Sequence, residues 1–81
     1  MKDKIEIGVK ETAILKVMDT DGSNITNCTC LVVKSNIWES GGRRGTTIPN
    51  PKIGESYKMI SEVVPFGSGI NWEIRSVEKL S

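Results

Sequence analysis

Two adjacent arginines, Arg43 and Arg44, are the residues whose type and spacing most clearly suggest a ligand site. They lie between glycines in the segment 40–51 and are followed closely by Thr46 and Thr47. Arginine presents a rigid fork of donors that suits phosphate oxygens, and glycines let a backbone approach a ligand closely. The sequence therefore predicts an anion-binding loop, to which exposed glycine N–H groups and the two threonine hydroxyls contribute.

This segment does not match the phosphate-binding loop of nucleotide hydrolases. That motif needs a lysine, followed by serine or threonine, after its second glycine, whereas Thr46 follows Gly45 directly. The alternative interpretation is a flexible, solvent-exposed loop that is polar for solubility and binds nothing.

The chain has four aromatic residues, and three of them bear on a site. Trp38 stands just before the arginine segment and is the candidate for stacking on a planar ligand. Phe66 lies in a glycine-rich turn, where an exposed ring could cap a ligand or contact another subunit. Trp72 is two residues from both Ile70 and Ile74, so on a strand the three side chains share one face. This pattern predicts a core position for Trp72.

Enzymatic chemistry finds little support in the sequence. There is no histidine, which removes the commonest general base, and no serine or cysteine stands in a motif with a base. Carboxylates are scattered rather than paired. Asp19, Asp21 and Gly22 suggest a calcium loop, but the glycine comes too early and no glutamate follows at the required distance. We therefore expect no catalysis, no cofactor and no metal.

Cys28 and Cys30 are two residues apart, so on a strand they share a face and are poorly placed to form a disulfide. The sequence predicts two free, buried thiols. A zinc ion shared across a symmetric dimer is the alternative.

Length and charge limit the remaining choices. Eighty-one residues make one domain, 1–81, with a thin core, which favours a homo-oligomer. A net charge of +1 argues against general nucleic-acid binding, which depends on phosphate neutralisation.

No apolar run approaches the ~20 residues that span a bilayer, and the first residues lack the apolar core of an export signal. We expect a cytoplasmic protein.

Alternation of apolar and polar residues predicts an all-β fold. Turns separate the strands at intervals typical of a small antiparallel barrel or sandwich of five or six strands, of the oligonucleotide-binding or SH3-like kind. Asp-Gly at 21–22 predicts a tight hairpin over residues 19–24. The predicted strands cover residues 5–9, 12–18, 25–34, 57–64 and 70–77, and a brief edge strand covers residues 46–48.

The leading hypothesis is a non-catalytic protein that holds a small anionic ligand, such as a nucleotide or cyclic nucleotide, and acts by sequestration or sensing. One alternative is an interaction or assembly module, for example a phage-type accessory protein that docks on an acidic protein surface. Another is a small barrel that binds single-stranded nucleic acid. The predicted ligand-binding residues are Trp38, Arg43, Arg44, Thr46, Thr47 and Phe66.

Overall fold

A computed structural model of the chain describes residues 5–20 and 27–80, within which there are five β-strands and no helix. The strands are β1 (Lys10–Thr20), β2 (Asn27–Ser35), β3 (Arg43–Thr47), β4 (Ser56–Phe66) and β5 (Gly69–Lys79). They form one antiparallel sheet in the order β3-β2-β1-β4-β5, curled into a half-barrel. The predicted all-β class is confirmed. Within the described ranges, no helix of membrane-spanning length and apolarity exists.

Strands β2, β4 and β5 confirm the alternation in the sequence, but the predicted first strand at residues 5–9 is wrong. Gly8 lies in a turn with a φ of 95°. Its N–H group donates to the carbonyl of Val63 at 2.9 Å, and the N–H group of Val63 donates to the carbonyl of Val9 at 2.9 Å. The segment is thus attached to β4 by isolated bonds rather than a ladder. Of the hairpin predicted at residues 19–24, residues 21–24 lie outside the described residues, whereas Asp19, the first of the calcium-loop residues, lies in β1.

The predicted loop over residues 40–51 is also wrong in part, since its middle is the edge strand β3. Two backbone hydrogen bonds bring the chain back alongside β2 before β3 starts. The N–H group of Gly41 donates to the carbonyl of Val32, and the N–H group of Val32 donates to the carbonyl of Gly42, both at 2.8 Å. Gly41 has a φ of 97°, a conformation that glycine adopts without strain. The arginines therefore lie on a regular ladder.

The concave face of the sheet carries the core. Side chains that alternate along β1, β2 and β4 point inward, and Ile48 follows β3 into the same cluster. The clustered buried residues are Ala13, Leu15, Val17, Cys28, Cys30, Val32, Ile48, Tyr57 and Met59. The two cysteines share this face, as predicted, and both are free.

A β-bulge in β2 changes which side chains face inward after Val32. Val32 lies opposite Leu15, but Lys34 lies opposite Ile14, so the bulge adds one residue on β2. Strict alternation would place Ser35 on the convex face with Val33. Because of the bulge, Ser35 instead faces the concave side.

Candidate functional site

A groove of about 570 Å³ opens on the concave face, between the two edge strands of the half-barrel. Its walls come from every strand and from the β2–β3 connection. The lining residues are Glu11, Val32, Trp38, Glu39, Gly42, Arg43, Arg44, Gly45, Thr46, Met59, Ser61, Trp72 and Ile74. Four of the six predicted ligand-binding residues are among them.

Arg44 is held in this groove by a bidentate ion pair with Glu11. Its Nη1 and Nη2 atoms donate to the two carboxylate oxygens of Glu11 at 2.8 and 2.7 Å. The side chain of Glu11 is only 4% exposed, against 24% for Arg44. Arg44 has three further N–H groups, one on Nε and one on each terminal nitrogen. None of these three has a hydrogen-bond partner in the described part of the chain. The guanidinium is therefore fixed in place and still has donors to offer.

Ser35 links this ion pair to Trp38. Its hydroxyl donates to Oε2 of Glu11 at 2.7 Å. The hydroxyl oxygen of Ser35 in turn accepts the backbone N–H groups of Ile37 at 3.1 Å and Trp38 at 3.0 Å. The β2 bulge, which turns Ser35 inward, thus connects Glu11 to the backbone that positions Trp38. Glu11 and Ser35 were missed by the sequence reasoning, since a lone glutamate at the start of a strand carries no motif.

Trp72 belongs to the groove wall, and the prediction that it is a core residue is wrong. It is half-buried, and its neighbour on the same face, Ile74, is 40% exposed. The alternation in β5 identified the correct face. It could not show that β5 is an edge strand, beyond which residues 5–20 and 27–80 provide no further strand. Trp38 is likewise half-buried in the groove wall, so both tryptophans line one cavity.

The other predicted site residues are divided between the two faces. Thr46 lines the groove, and its hydroxyl lies 3.6 Å from the sulfur of Met59. Arg43 contributes to the groove wall, but it lies opposite Leu31, whose side chain is on the convex face. Thr47 is exposed on that convex side and does not line the groove.

Phe66 stands apart from these residues at the β4–β5 hairpin. It is 67% exposed, as its turn predicted, but it is not part of the groove wall. The predicted glycine N–H donors are also partly wrong, because Gly41 gives its N–H to the carbonyl of Val32. Arg43 and Arg44 therefore lie on a strand, and the backbone at Gly41 does not form a nest of free N–H groups.

The charges lining the groove balance. Glu11 and Glu39 are acidic, and Arg43 and Arg44 are basic, so the four formal charges sum to zero. An anion in this groove would gain hydrogen bonds from Arg44 rather than a strong net field, because Glu11 neutralises that guanidinium.

A separate polar cluster lies at the other end of the sheet. The ammonium group of Lys79 is 2.7 Å from Glu55, and the hydroxyl of Tyr57 donates to Glu55 at 3.1 Å. The hydrogen bond from Lys79 lowers the pKa of Glu55, and the same bond raises the pKa of Lys79. Burial raises the pKa of Tyr57. This cluster joins β5 to the turn before β4 and lies outside the groove.

The sulfur atoms of Cys28 and Cys30 are 3.7 Å apart within the core. Burial, followed by the hydrogen bond with Cys28, raises the pKa of Cys30 to about 12. Both thiols lie inside the core, so a zinc ion shared with a second chain would require the core to open. In residues 5–20 and 27–80, no three histidine, cysteine, aspartate or glutamate side chains converge on a metal position.

The chain matches no protein-family model, no curated protein and no solved structure. The function must therefore be argued from the groove itself.

Proposed function

We propose that this protein is a non-catalytic binding protein that holds a small anionic ligand of the nucleotide or cyclic nucleotide class in its concave groove. The observation that carries the proposal is the presence of Trp38, Trp72 and Arg44 in the wall of one cavity. Two indole rings can stack on a heterocyclic base, while a guanidinium can donate to a phosphate.

The size and preorganisation of the groove support this proposal. Its volume of about 570 Å³ falls in the range of ligand sites, roughly 300–1,000 Å³. Arg44 is fixed by Glu11 before any ligand arrives, so little side-chain entropy is lost on binding. Thr46 and Ser61 add hydroxyl groups to a wall that also contains apolar and charged side chains.

The ion pair also explains why we propose binding rather than catalysis. Glu11 is the buried carboxylate of the groove, and its oxygens accept hydrogen bonds from Arg44 and Ser35. A carboxylate held in this way is poorly placed to remove a proton from a ligand. The protein would act by sequestering or sensing its ligand.

Two further features belong to the proposal. Free thiols at Cys28 and Cys30 fit a reducing compartment such as the cytoplasm. β3 and β5 end the sheet and have no strand partner on their outer sides in the described chain. Such edges can pair with another copy, which fits a homo-oligomer.

A thermal-shift panel of mononucleotides and cyclic mono- and dinucleotides tests the proposed function. A bound nucleotide at about 100-fold its Kd should stabilise the fold by about 2.7 kcal/mol and raise the melting temperature. Trp72→Ala should remove the shift, whereas Phe66→Ala, at the hairpin outside the groove, should retain it. An unchanged melting temperature with every nucleotide would count decisively against the proposal.

A further inference from the structure

The convex face of the sheet carries four basic side chains close to one another: Lys16, Lys34, Lys58 and Arg43. None of them has a carboxylate within ion-pair distance among the described residues, whose ion pairs use other basic side chains. Their positions follow from strand register, because residues directly opposite each other on neighbouring strands share a face. Lys16, Lys34 and Lys58 lie on the side of the sheet opposite the proposed ligand groove, whereas Arg43, on the edge strand, also contributes to the groove wall.

The first row of this cluster runs across β3, β2 and β1. Arg43 lies opposite Leu31, and Leu31 lies opposite Lys16. Two cations therefore flank one apolar side chain, separated by two strand spacings, or about 10 Å between backbones.

The second row repeats this arrangement one strand further along. Lys34 lies opposite Ile14, and Ile14 lies opposite Lys58. The two rows are two residues apart on β1, about 7 Å. Together they form a staggered pattern of four cations and two apolar side chains, which we call the basic rows.

Apolar surface accompanies the charge. Ile14 and Leu31 are half-buried, and the aliphatic stems of neighbouring lysines can lie along such apolar side chains. Val33, in the β2 bulge beside Lys34, is 46% exposed, and Met18 at the end of β1 is 41% exposed. A partner would therefore meet both cations and apolar groups.

Most acidic groups on the convex face lie towards its other side, but Asp19, opposite Thr29, lies beside the first basic row. Glu62 and Glu73 both form ion pairs with Arg75, at 3.0 and 3.1 Å. Glu78 lies opposite Lys58 on β5, at the edge of the basic rows. The four basic side chains of the basic rows therefore outnumber the two acidic side chains beside them, Asp19 and Glu78.

We propose that the basic rows dock a protein segment in which acidic and apolar side chains alternate. Charge complementarity identifies the acidic half of this partner, and Ile14, Leu31 and Val33 identify its apolar half. A nucleic acid fits less well, because the basic rows contain no aromatic side chain for stacking and the chain has a net charge of only +1.

An NMR titration of the ¹⁵N-labelled protein tests this docking surface. The probe is a synthetic peptide of alternating glutamate and leucine, compared with a glutamate–serine peptide of equal charge, oligo(dT) and phosphatidylserine vesicles. We expect the glutamate–leucine peptide to bind most tightly and to shift amides at positions 14, 16, 31, 34, 43 and 58. Shifts confined to other regions, or none, would overturn the proposal.

Charge reversal supplies the matched comparison. Lys34→Glu, within the basic rows, should weaken peptide binding about tenfold, because it replaces an attraction with a repulsion. Lys52→Glu makes the same change at an exposed residue outside these rows and should leave binding unchanged. Equal losses in both variants, equal binding of the leucine-free peptide, or tighter binding of oligo(dT) or vesicles would each refute an acidic–apolar protein partner.

Discussion

Arg44 and Glu11 form their bidentate ion pair although the sheet register places them far apart. Arg44 lies opposite Cys30, and Cys30 lies opposite Val17, which is six residues from Glu11 along β1. In a flat sheet those six residues would span about 20 Å. The contact therefore depends on the curl of the half-barrel, which brings β3 diagonally over the concave face. The formation of this salt bridge therefore depends on the curl of the sheet, which also determines the shape of the groove.

Removing one partner of this pair should destabilise the fold. Glu11→Gln leaves the Arg44 guanidinium without its counter-charge in a mostly buried position. Breaking a fully buried pair costs roughly 3–5 kcal/mol, and because Arg44 is 24% exposed we expect a loss of about 2 kcal/mol in the free energy of unfolding. Equilibrium unfolding in urea measures this loss.

A double-mutant cycle separates the ion pair from other effects at these positions. Arg44→Met with Glu11→Gln should cost less than the sum of the two single changes, because each single change leaves a lone polar partner. Strictly additive losses would show that the two side chains do not interact in solution.

Gly41 and Gly42, in the turn before β3, are adjacent glycines that differ in backbone geometry. Gly41 has a φ of 97°, and a Cβ added there would meet no atom within 4 Å. Gly41→Ala should therefore cost about 1–2 kcal/mol through backbone strain alone. Gly42 has equal space and no positive φ, so Gly42→Ala should leave stability almost unchanged. Urea unfolding of both variants provides the comparison, and equal stabilities would contradict the turn geometry.

The buried thiol of Cys30 should make stability fall at alkaline pH. Its pKa is raised from 9.0 to about 12 in the folded state. The contribution of the protonated thiol to the free energy of unfolding is therefore complete below pH 9 and is lost as pH rises through about 12. Between pH 8 and pH 11 this loss should amount to roughly 2 kcal/mol.

Cys30→Ala provides the control for this titration, because Tyr57, whose pKa is also raised, remains in both proteins. The variant should be less stable at pH 8, but its stability should fall less steeply between pH 8 and pH 11 in urea unfolding. Parallel pH profiles would show that Cys30 does not titrate in this range.

Much of the fold followed from alternation in the sequence. The spacing of Cys28 and Cys30 predicted that both thiols share a face of β2 and are buried, and Ile70 with Trp72 predicted a shared face of β5. These predictions succeeded because side chains alternate strictly in regular strands. The predicted edge strand at residues 46–48 overlaps the end of β3, but residues 43–45 were not predicted to be a strand. Glycines and arginines have little preference for strands, and the ladder with β2 determines the structure there.

The site was harder to predict, because it depends on long-range geometry. The sequence identified Trp38, Arg44 and Thr46, which are close together along the chain. Glu11 and Ser35 join the site only through the curl of the sheet and the β2 bulge. Trp72 joins it because β5 is an edge strand, and strand order cannot be read from alternation.

The two tryptophans of the groove allow the most direct test of the proposed function. Trp38→Phe retains the indole of Trp72 on β5 as the fluorescent reporter, and Trp72→Phe retains the indole of Trp38 in the β2–β3 connection. We expect the same nucleotide to quench the emission of both variants, in each case with saturation and with similar Kd values. Failure of every nucleotide in the panel to change either emission would contradict a nucleotide site in this groove.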